Sequence, residues 1–368
     1  MESRQIVEIW RRDPAAVLVT LVRAEGSSYR RPGARLCCST REGHAGTISG
    51  GCLEADVIRR AAWVAREHAV VERYATTFDD TSDIPFGLGC GGTVDLLFEP
   101  LATPEGQALM QAMATALEGN ESTVVSFLPG DGRQLRRLIL DARGTIAFAS
   151  EALSMEKIQC ARKLTPGQAY EGRFVEQLQA PQRLFVLGAG DDARPLVQVA
   201  SLLGWTVIVA DGRAQLAQAQ RFPDAARVIQ LRTSNAFDLD IDARDAVIVM
   251  THSYEQDRDL LVRVLPLAPR YLGLLGSRHR SSLLISEAAA ALGVTVESCT
   301  ERLFAPVGMD LGGDGPQAIA LAVVAEVQAV CNGRAGLPRR LSAAEIAEFV
   351  ATGGGSRYLQ AQCALDTP

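Results

Sequence analysis

The sequence predicts an α/β protein in which an N-terminal α+β domain precedes a C-terminal Rossmann-like domain, a parallel sheet with helices on both faces. Three observations predict this class. After residue 183, short apolar runs alternate with helical segments, as in parallel sheets with crossover helices. The first of these runs ends in a glycine motif that opens a helix. Before residue 179, strand-like runs follow one another with few helices between them.

A chain of 368 residues is too long for one ordinary hydrophobic core, so two domains are expected. The change of pattern divides it into an N-terminal domain over 1–178 and a Rossmann-like domain over 183–335. A C-terminal tail over 336–368 completes the chain.

The N-terminal domain is predicted to be rich in strands. From Leu53 the apolar spacing becomes helical, with Val57 and Ala61 on the same face, and a second helix is predicted over 104–118. The predicted strands are 16–24, 34–39, 44–49, 93–100, 122–128, 135–140, 145–149 and 173–178.

In the second domain, strands and helices are predicted to alternate. The predicted strands are 183–187, 206–210, 245–250 and 270–275. The predicted helices are 191–204, 255–265, 277–292, 316–331 and, in the tail, 342–350.

The first strand of this domain ends in the motif "VLGAGDDARPL". Gly188, Gly190 and Ala193 satisfy the GxGxx[GA] pattern of dinucleotide-binding folds, and Asp211 ends the next strand, where a ribose-binding acid lies. The strand before the motif, the helix after it and the acid at the end of the next strand together support the Rossmann fold. The alternative is that the glycines only allow close packing of strand and helix.

Bound NAD(P) is less well supported than the fold. We expect Asp191 and Asp192 to occupy the first turn of the helix, where they would neutralise its dipole and repel a pyrophosphate. Pro195 further predicts that the helix starts late or bends. At the same edge, His252 and Arg278 are candidates for binding a nucleotide or anion; a structural histidine and a surface ion pair are the alternatives.

Composition excludes several classes of protein. A net charge of −6 argues against nucleic-acid binding, and no apolar run is long enough to span a bilayer. The eight cysteines are scattered without a CxxC pair, which argues against a disulfide scaffold or structural zinc. These features, with a polar N-terminus, predict a cytoplasmic protein. Cys37 and Cys38 lie in a predicted strand and are expected in the core.

Two other cysteines are flanked by glycines. Cys52 follows Gly50 and Gly51 and precedes a helix, whose positive end favours a thiolate, while Glu54 is either a partner or a stabiliser of the helix start. Cys90 lies between Gly89 and Gly91, in a loop able to present N–H groups to an anion.

The segment "EGSSYRRPGA" adds Arg30 and Arg31 on a loop after a strand. One interpretation is three tight turns with buried cysteines. The other is a single site for an anionic ligand with a soft or sulfur-bearing centre. No base accompanies either cysteine, which argues against acyl transfer.

Several spaced motifs carry a family resemblance. "EGSSYRRPGARL", "GTISGGCLEADV" and "GLGCGGTVDLLFEP" resemble the N-terminal motifs of the XdhC/CoxI family, the accessory factors of xanthine and carbon monoxide dehydrogenases. "FVLGAGDDARPL", "THSYEQDRDLL", "LLGSRHR" and "PVGMDLGGDGPQAIALAVVAEV" resemble its Rossmann domain.

The resemblance implies a maturation factor that binds the molybdenum cofactor, a phosphate-bearing pyranopterin dithiolene. It further implies sulfuration of the cofactor with a cysteine desulfurase and delivery to an apo-molybdoenzyme of the xanthine dehydrogenase class. The family's glycine-flanked cysteines map onto Cys52 and Cys90, both possible molybdenum contacts, and its nucleotide-fold glycines onto Gly188 and Gly190. A homodimer is expected.

Two other functions stay open. An NAD(P)-dependent oxidoreductase would use Gly188, Gly190 and Asp211, although no convincing catalytic pair accompanies them. A thiol redox sensor or peroxidase would use Cys52 with Cys90 as its resolving partner.

Overall fold

The fold was analysed in a computed structural model, which describes residues 1–26, 28–51, 53–75, 92–130, 132–168, 170–231, 239–301, 303–337 and 340–351. The predicted fold class is confirmed: an N-terminal α+β domain with two antiparallel sheets precedes a Rossmann domain. Within the described ranges, no helix is both long and apolar enough to cross a membrane.

The first N-terminal sheet has five antiparallel strands in the order β3-β2-β1-β5-β4. Its strands are β1 (Val17–Glu25), β2 (Arg35–Ser39), β3 (Gly43–Gly46), β4 (Val70–Ala75) and β5 (Thr93–Pro100). Side chains alternate along β1, so that Leu18 faces one hydrophobic cluster while Val17 and Val19 face another. Cys37 and Cys38 are buried as predicted, and burial raises the pKa of each thiol to about 12.

The second N-terminal sheet has four antiparallel strands in the order β8-β7-β6-β9. Its strands are β6 (Ser122–Phe127), β7 (Arg136–Asp141), β8 (Ile146–Ala149) and β9 (Arg173–Leu178). The helices of this domain are α1 (Glu2–Arg12), α2 (Glu54–Val64), α3 (Pro104–Leu117) and α4 (Met155–Ala161). Helices α1 and α3 pack between the two sheets, while α2 and α4 cover their outer faces.

A buried ion pair joins the two N-terminal sheets. Arg137 on β7 donates to Glu99 on β5 at 2.9 and 3.2 Å, and neither side chain is more than 1% exposed. Arg137 also donates to Ser126 Oγ and to the carbonyl oxygen of Glu105 at the start of α3. The guanidinium therefore ties both sheets and α3 together.

The Rossmann domain has one sheet of six parallel strands in the order β12-β11-β10-β13-β14-β15, which matches the order 3-2-1-4-5-6 of dinucleotide-binding folds. The strands are β10 (Arg183–Leu187), β11 (Thr206–Asp211), β12 (Arg227–Gln230), β13 (Ala246–Val249), β14 (Tyr271–Leu274) and β15 (Leu303–Phe304). The helices are α5 (Ala193–Leu202), α6 (Tyr254–Val264), α7 (Arg278–Leu292), α8 (Val296–Thr300), α9 (Pro316–Cys331) and α10 (Ala343–Ala351). Helices α5 and α9 cover one face of the sheet, and α6 and α7 the other.

One prediction about the Rossmann helix needs correction. Asp191 and Asp192 do not lie in its first turn, because α5 begins only at Ala193. Pro195 is the third residue of the helix and falls within its first turn, where a missing N–H is tolerated. The prediction of a late start is thus confirmed, and both carboxylates precede the helix.

The buried pair gives a stability prediction. Replacing Arg137 with Met leaves the Glu99 carboxylate buried without its cation, which should lower the free energy of unfolding by about 3–5 kcal/mol. Denaturant-induced unfolding followed by circular dichroism measures the change. The double variant Glu99→Leu/Arg137→Met removes both charges and should recover most of the loss. A double variant no more stable than Arg137→Met would contradict this explanation.

Candidate functional site

Strand direction brings the N-terminal motif loops to one edge of the five-stranded sheet. Here the edge is the side at which β1, β3 and β4 end and β5 begins. The end of β1 pairs with the start of β5 through Glu25 and Thr93, and the end of β4 reaches the same point at Ala75. Gly46, at the end of β3, pairs with Leu36 near the start of β2 and so lies toward this edge. The loops that follow β1 and β3 and the segment that enters β5 therefore emerge on the same side.

The loop between β3 and α2 depends on two glycines with positive φ. Gly50 has φ +84° and Gly51 has φ +115°, conformations that L side chains rarely adopt. A Cβ at Gly50 would also lie 2.8 Å from the ring of Tyr29, which belongs to the neighbouring loop. Tyr29 is itself 73% exposed. The two loops are thus in direct contact.

The Glu54 carboxylate closes this loop from within. It accepts hydrogen bonds from four consecutive backbone N–H groups, at 3.0, 2.8, 3.1 and 2.8 Å, and from the Ser49 hydroxyl. The four donors are Ile48, Ser49, Gly50 and Gly51. Although burial opposes ionisation, these hydrogen bonds lower the pKa of Glu54 to about 2. The protein's own carboxylate therefore engages the amides of the glycine turn that precedes Cys52.

The two adjacent arginines differ in their surroundings. Arg30 forms a two-point ion pair with Glu2 at the start of α1, at 3.1 and 2.8 Å, and this hydrogen bonding raises the pKa of Arg30. Arg31 is exposed, and within the described residues its guanidinium has no hydrogen-bond partner. Arg31 is therefore the cation of this loop that is available to an anion.

Cys52, Gly89, Cys90 and Gly91 lie outside the described residues. Their predicted roles stay predictions, although the segments that flank them emerge at the edge described above. Among the described residues, no cluster of three metal-ligating His, Cys, Asp or Glu side chains occurs.

At the carboxyl edge of the Rossmann sheet, the predicted ribose acid is already engaged. Asp211 is fully buried and accepts hydrogen bonds from the Ala189 N–H at 2.8 Å and from Arg213 through its N–H, Nε and Nη2. Burial opposes ionisation of Asp211, but the hydrogen bonds from Arg213 and Ala189 outweigh it and lower the pKa. Both carboxylate oxygens are occupied.

The crevice between the ends of β10 and β13 is also bridged. This is the switch point at which ligands bind in such sheets. Here His252 Nε2 lies 2.8 Å from the Asp192 carboxylate, and His252 has φ +65°. A Cβ at Gly188 would collide with the carbonyl of Met250, so the glycine allows these strand ends to approach closely.

Arg221 also forms hydrogen bonds to the glycine loop after β10. It donates to the carbonyl oxygen of Ala189 at 2.8 Å and to the Asp191 carboxylate at 2.7 Å. Arg278 is the exposed first residue of α7, and no hydrogen bond of its side chain occurs within the described residues. Among the described residues that were predicted to bind a nucleotide or anion at this edge, Arg278 is the one whose charged group has no hydrogen-bond partner.

Sequence reasoning missed the partner residues at this edge. Asp257 is fully buried and accepts from Thr251 and from Arg280, which holds the loops after β13 and β14 together. Arg213 was detectable, since it follows Asp211 by two residues in the sequence "DGR". Arg221 and Asp257 are brought to the site only by tertiary folding.

The N-terminal domain contacts the Rossmann sheet on the side away from Asp211. Arg4 of α1 donates to Thr206 Oγ1 at 3.1 Å, and Thr206 is the first residue of β11 whereas Asp211 is the last. Six residues of strand span about 17 Å. The N-terminal domain therefore contacts the Rossmann sheet at the amino edge, opposite to the edge that carries Asp211.

Comparisons with known proteins agree with this architecture. The family model described as the XdhC and CoxI family matches residues 9–75, and the one described as the XdhC Rossmann domain matches residues 184–327. A protein from Bacillus subtilis described as a probable subunit of xanthine dehydrogenase is 27% identical over 85% of this chain and 92% of its own length. The molybdenum cofactor insertion chaperone PaoD of Escherichia coli is 25% identical over 89% of this chain and 87% of its own.

A solved structure supports the same assignment. A crystal structure described as a xanthine dehydrogenase from Bacillus halodurans has a TM-score of 0.77 and 27% identity, and the match covers 94% of this chain and 99% of that one. Both domains thus match one family, in sequence and in fold. The chain belongs to the XdhC and CoxI family.

Proposed function

We propose that this protein is a maturation factor that binds the molybdenum cofactor, protects it, promotes its sulfuration and delivers it to a molybdoenzyme of the xanthine dehydrogenase class. A maturation role related to the molybdenum cofactor agrees with the family and with the relative named as an insertion chaperone. The observation that carries the proposal is the convergence of the N-terminal motif loops at one edge of the five-stranded sheet.

The residues at this edge suit a cargo with a phosphate and a soft, sulfur-rich centre. Arg31 offers a phosphate a guanidinium that no described residue pairs, and Arg30 is held in place next to it by Glu2. In the proposal, Cys52 and Cys90 supply soft thiols. Binding of the phosphate to the amides of Gly50 and Gly51 would require Glu54 to leave, so we assign the phosphate to Arg31 instead.

Partners follow from the same proposal. A cysteine desulfurase would supply sulfur, and an apo-molybdoenzyme would receive the cofactor. A homodimer would provide two such sites, one on each copy.

An NAD(P)-dependent oxidoreductase fits the Rossmann domain less well. The ribose acid Asp211 is sequestered by Arg213, and the His252–Asp192 pair bridges the crevice between β10 and β13. A dinucleotide would have to displace each of these contacts. The glycine motif is explained by close packing of β10 against the end of β13.

The proposed function makes a prediction about cofactor loading. Protein purified from cells that make the cofactor should carry pterin, measured by fluorescence after oxidative release. Cys52→Ala and Cys90→Ala should each reduce loading about tenfold or more, as expected when a contact of a metal site is lost.

Cys160→Ala is the matched control, because Cys160 is an exposed free cysteine on α4 of the same domain. It should load like the wild type. Loading of Cys52→Ala and Cys90→Ala at the wild-type level would reject the site assignment, and absence of pterin from wild-type protein would reject the function.

The occupied carboxyl edge of the Rossmann sheet makes a prediction about nucleotides. Titration with NADH to millimolar concentration should give no saturable change in nicotinamide fluorescence, since Asp211 and the β10–β13 crevice are occupied. A Rossmann dehydrogenase measured in parallel is the positive control. Saturable binding that Asp211→Asn abolishes would instead favour the oxidoreductase.

A further inference from the structure

Glu54 makes an arrangement that ordinary helix capping does not explain. An N-cap side chain accepts from N–H groups in the first turn of its own helix, and the Glu of a capping box accepts only from the N–H of the N-cap residue. Glu54 is the first residue of α2, and its carboxylate turns back to accept from the loop before the helix. The carboxylate therefore orders the loop that leads into α2.

The donors form a cradle of the kind that binds anions. Four consecutive N–H groups converge on one carboxylate, and the positive φ angles at Gly50 and Gly51 turn the last two inward. Ser49 strengthens the closure, because its hydroxyl donates to Glu54 and accepts from the Leu53 N–H at 2.9 Å. All the loop residues from 48 to 51 are thus held by a single side chain.

The charge of Glu54 matters to this closure. With a pKa of about 2, the group remains ionised at any physiological pH. The positive charge that faces it from the neighbouring loop is Arg30, which Glu2 anchors. An ionised acceptor forms stronger hydrogen bonds to these amides than a neutral one.

We propose that Glu54 is a positioning residue: as an internal anion it sets the conformation of the loop that leads to Cys52, and it does not itself contact the cargo. Its effect on loading rests on the proposed function, whereas its effect on the loop does not. The sequence left Glu54 open as a partner of Cys52 or as a stabiliser of the helix start, and this proposal gives it an indirect role at the cofactor site.

Chemical rescue tests the proposal. Glu54→Ala removes the carboxylate and leaves the four N–H donors facing an empty cradle, so cofactor loading should fall about tenfold, on the scale of supporting residues in ligand sites. Added acetate or formate should refill the cradle and restore loading. Acetamide and methylammonium, which lack a carboxylate, should not.

A second readout needs no cofactor. Hydrogen exchange at the Gly50 and Gly51 amides should accelerate in Glu54→Ala and slow again when acetate is added. Glu54→Gln keeps the size of the side chain but loses its charge and turns an NH2 group toward the donors. It should show fast exchange that acetate does not reverse, because the side chain still fills the cradle.

Glu156→Ala is the matched control. Glu156 lies in the first turn of α4, is exposed, and makes no hydrogen bond or ion pair to another described residue. Its replacement should change neither loading nor exchange, with or without acetate.

The outcomes separate the two proposals. Acetate-dependent exchange in Glu54→Ala, together with a wild-type protein that never carries pterin, would support the role of Glu54 and reject the proposed function. Unchanged amide exchange in Glu54→Ala or Glu54→Gln would overturn the role of Glu54, whatever the loading. So would loading of Glu54→Ala that falls and does not respond to acetate or formate.

Discussion

Strand direction is the constraint on which both candidate sites depend. In the five-stranded sheet, antiparallel pairing returns the chain repeatedly to one edge, so loops distant in sequence emerge together. In the Rossmann sheet, all six strands point the same way, so the loops after β10, β11 and β13 gather at the carboxyl edge. The residues that line each site follow from these two topologies.

At both edges, side chains of the protein itself form hydrogen bonds to the backbone groups of the glycine loops. Glu54 fills the cradle before α2, while Asp211 accepts from the N–H of Ala189 and Arg221 donates to the carbonyl oxygen of Ala189. A loop rich in exposed N–H groups must find acceptors from water, a ligand or the protein itself. Glycine-rich sequence therefore indicates where backbone groups are concentrated, and only the tertiary structure tells which partner they take.

Local signals in the sequence predicted the fold class and most elements. Strand β5 and helix α9 have the predicted bounds, because proline marks the end of the first and the start of the second. Helix α1 was missed, since its buried stripe of Ile6, Val7 and Ile9 is too short to establish a period. Strand β4 was missed because "VVERYA" is half polar and forms an outermost strand of the sheet.

The candidate site was less accessible to sequence reasoning than the fold. Arg30 and Arg31 are indistinguishable as neighbours in the sequence, yet one is paired and the other exposed because α1 places Glu2 beside Arg30. The contact joins residues 28 positions apart, and no local pattern predicts it. Asp211 was identified by its position after a strand, but its burial beneath Arg213 depends on side-chain packing.

The contact between the two domains is polar and lies at the amino edge of the Rossmann sheet. The hydrophobic clusters of the described residues stay within one domain or the other, and polar contacts such as Arg4 with Thr206 and Arg244 with Glu121 connect them. Open clefts of about 530 and 750 Å³ lie beside this contact. The contact between Arg4 and Thr206 lies at the amino edge of the Rossmann sheet, whereas Asp211 ends β11 at the carboxyl edge. The proposed function assigns the cargo to residues of the N-terminal domain, so loading at the cysteine loops should not depend on Asp211 or His252.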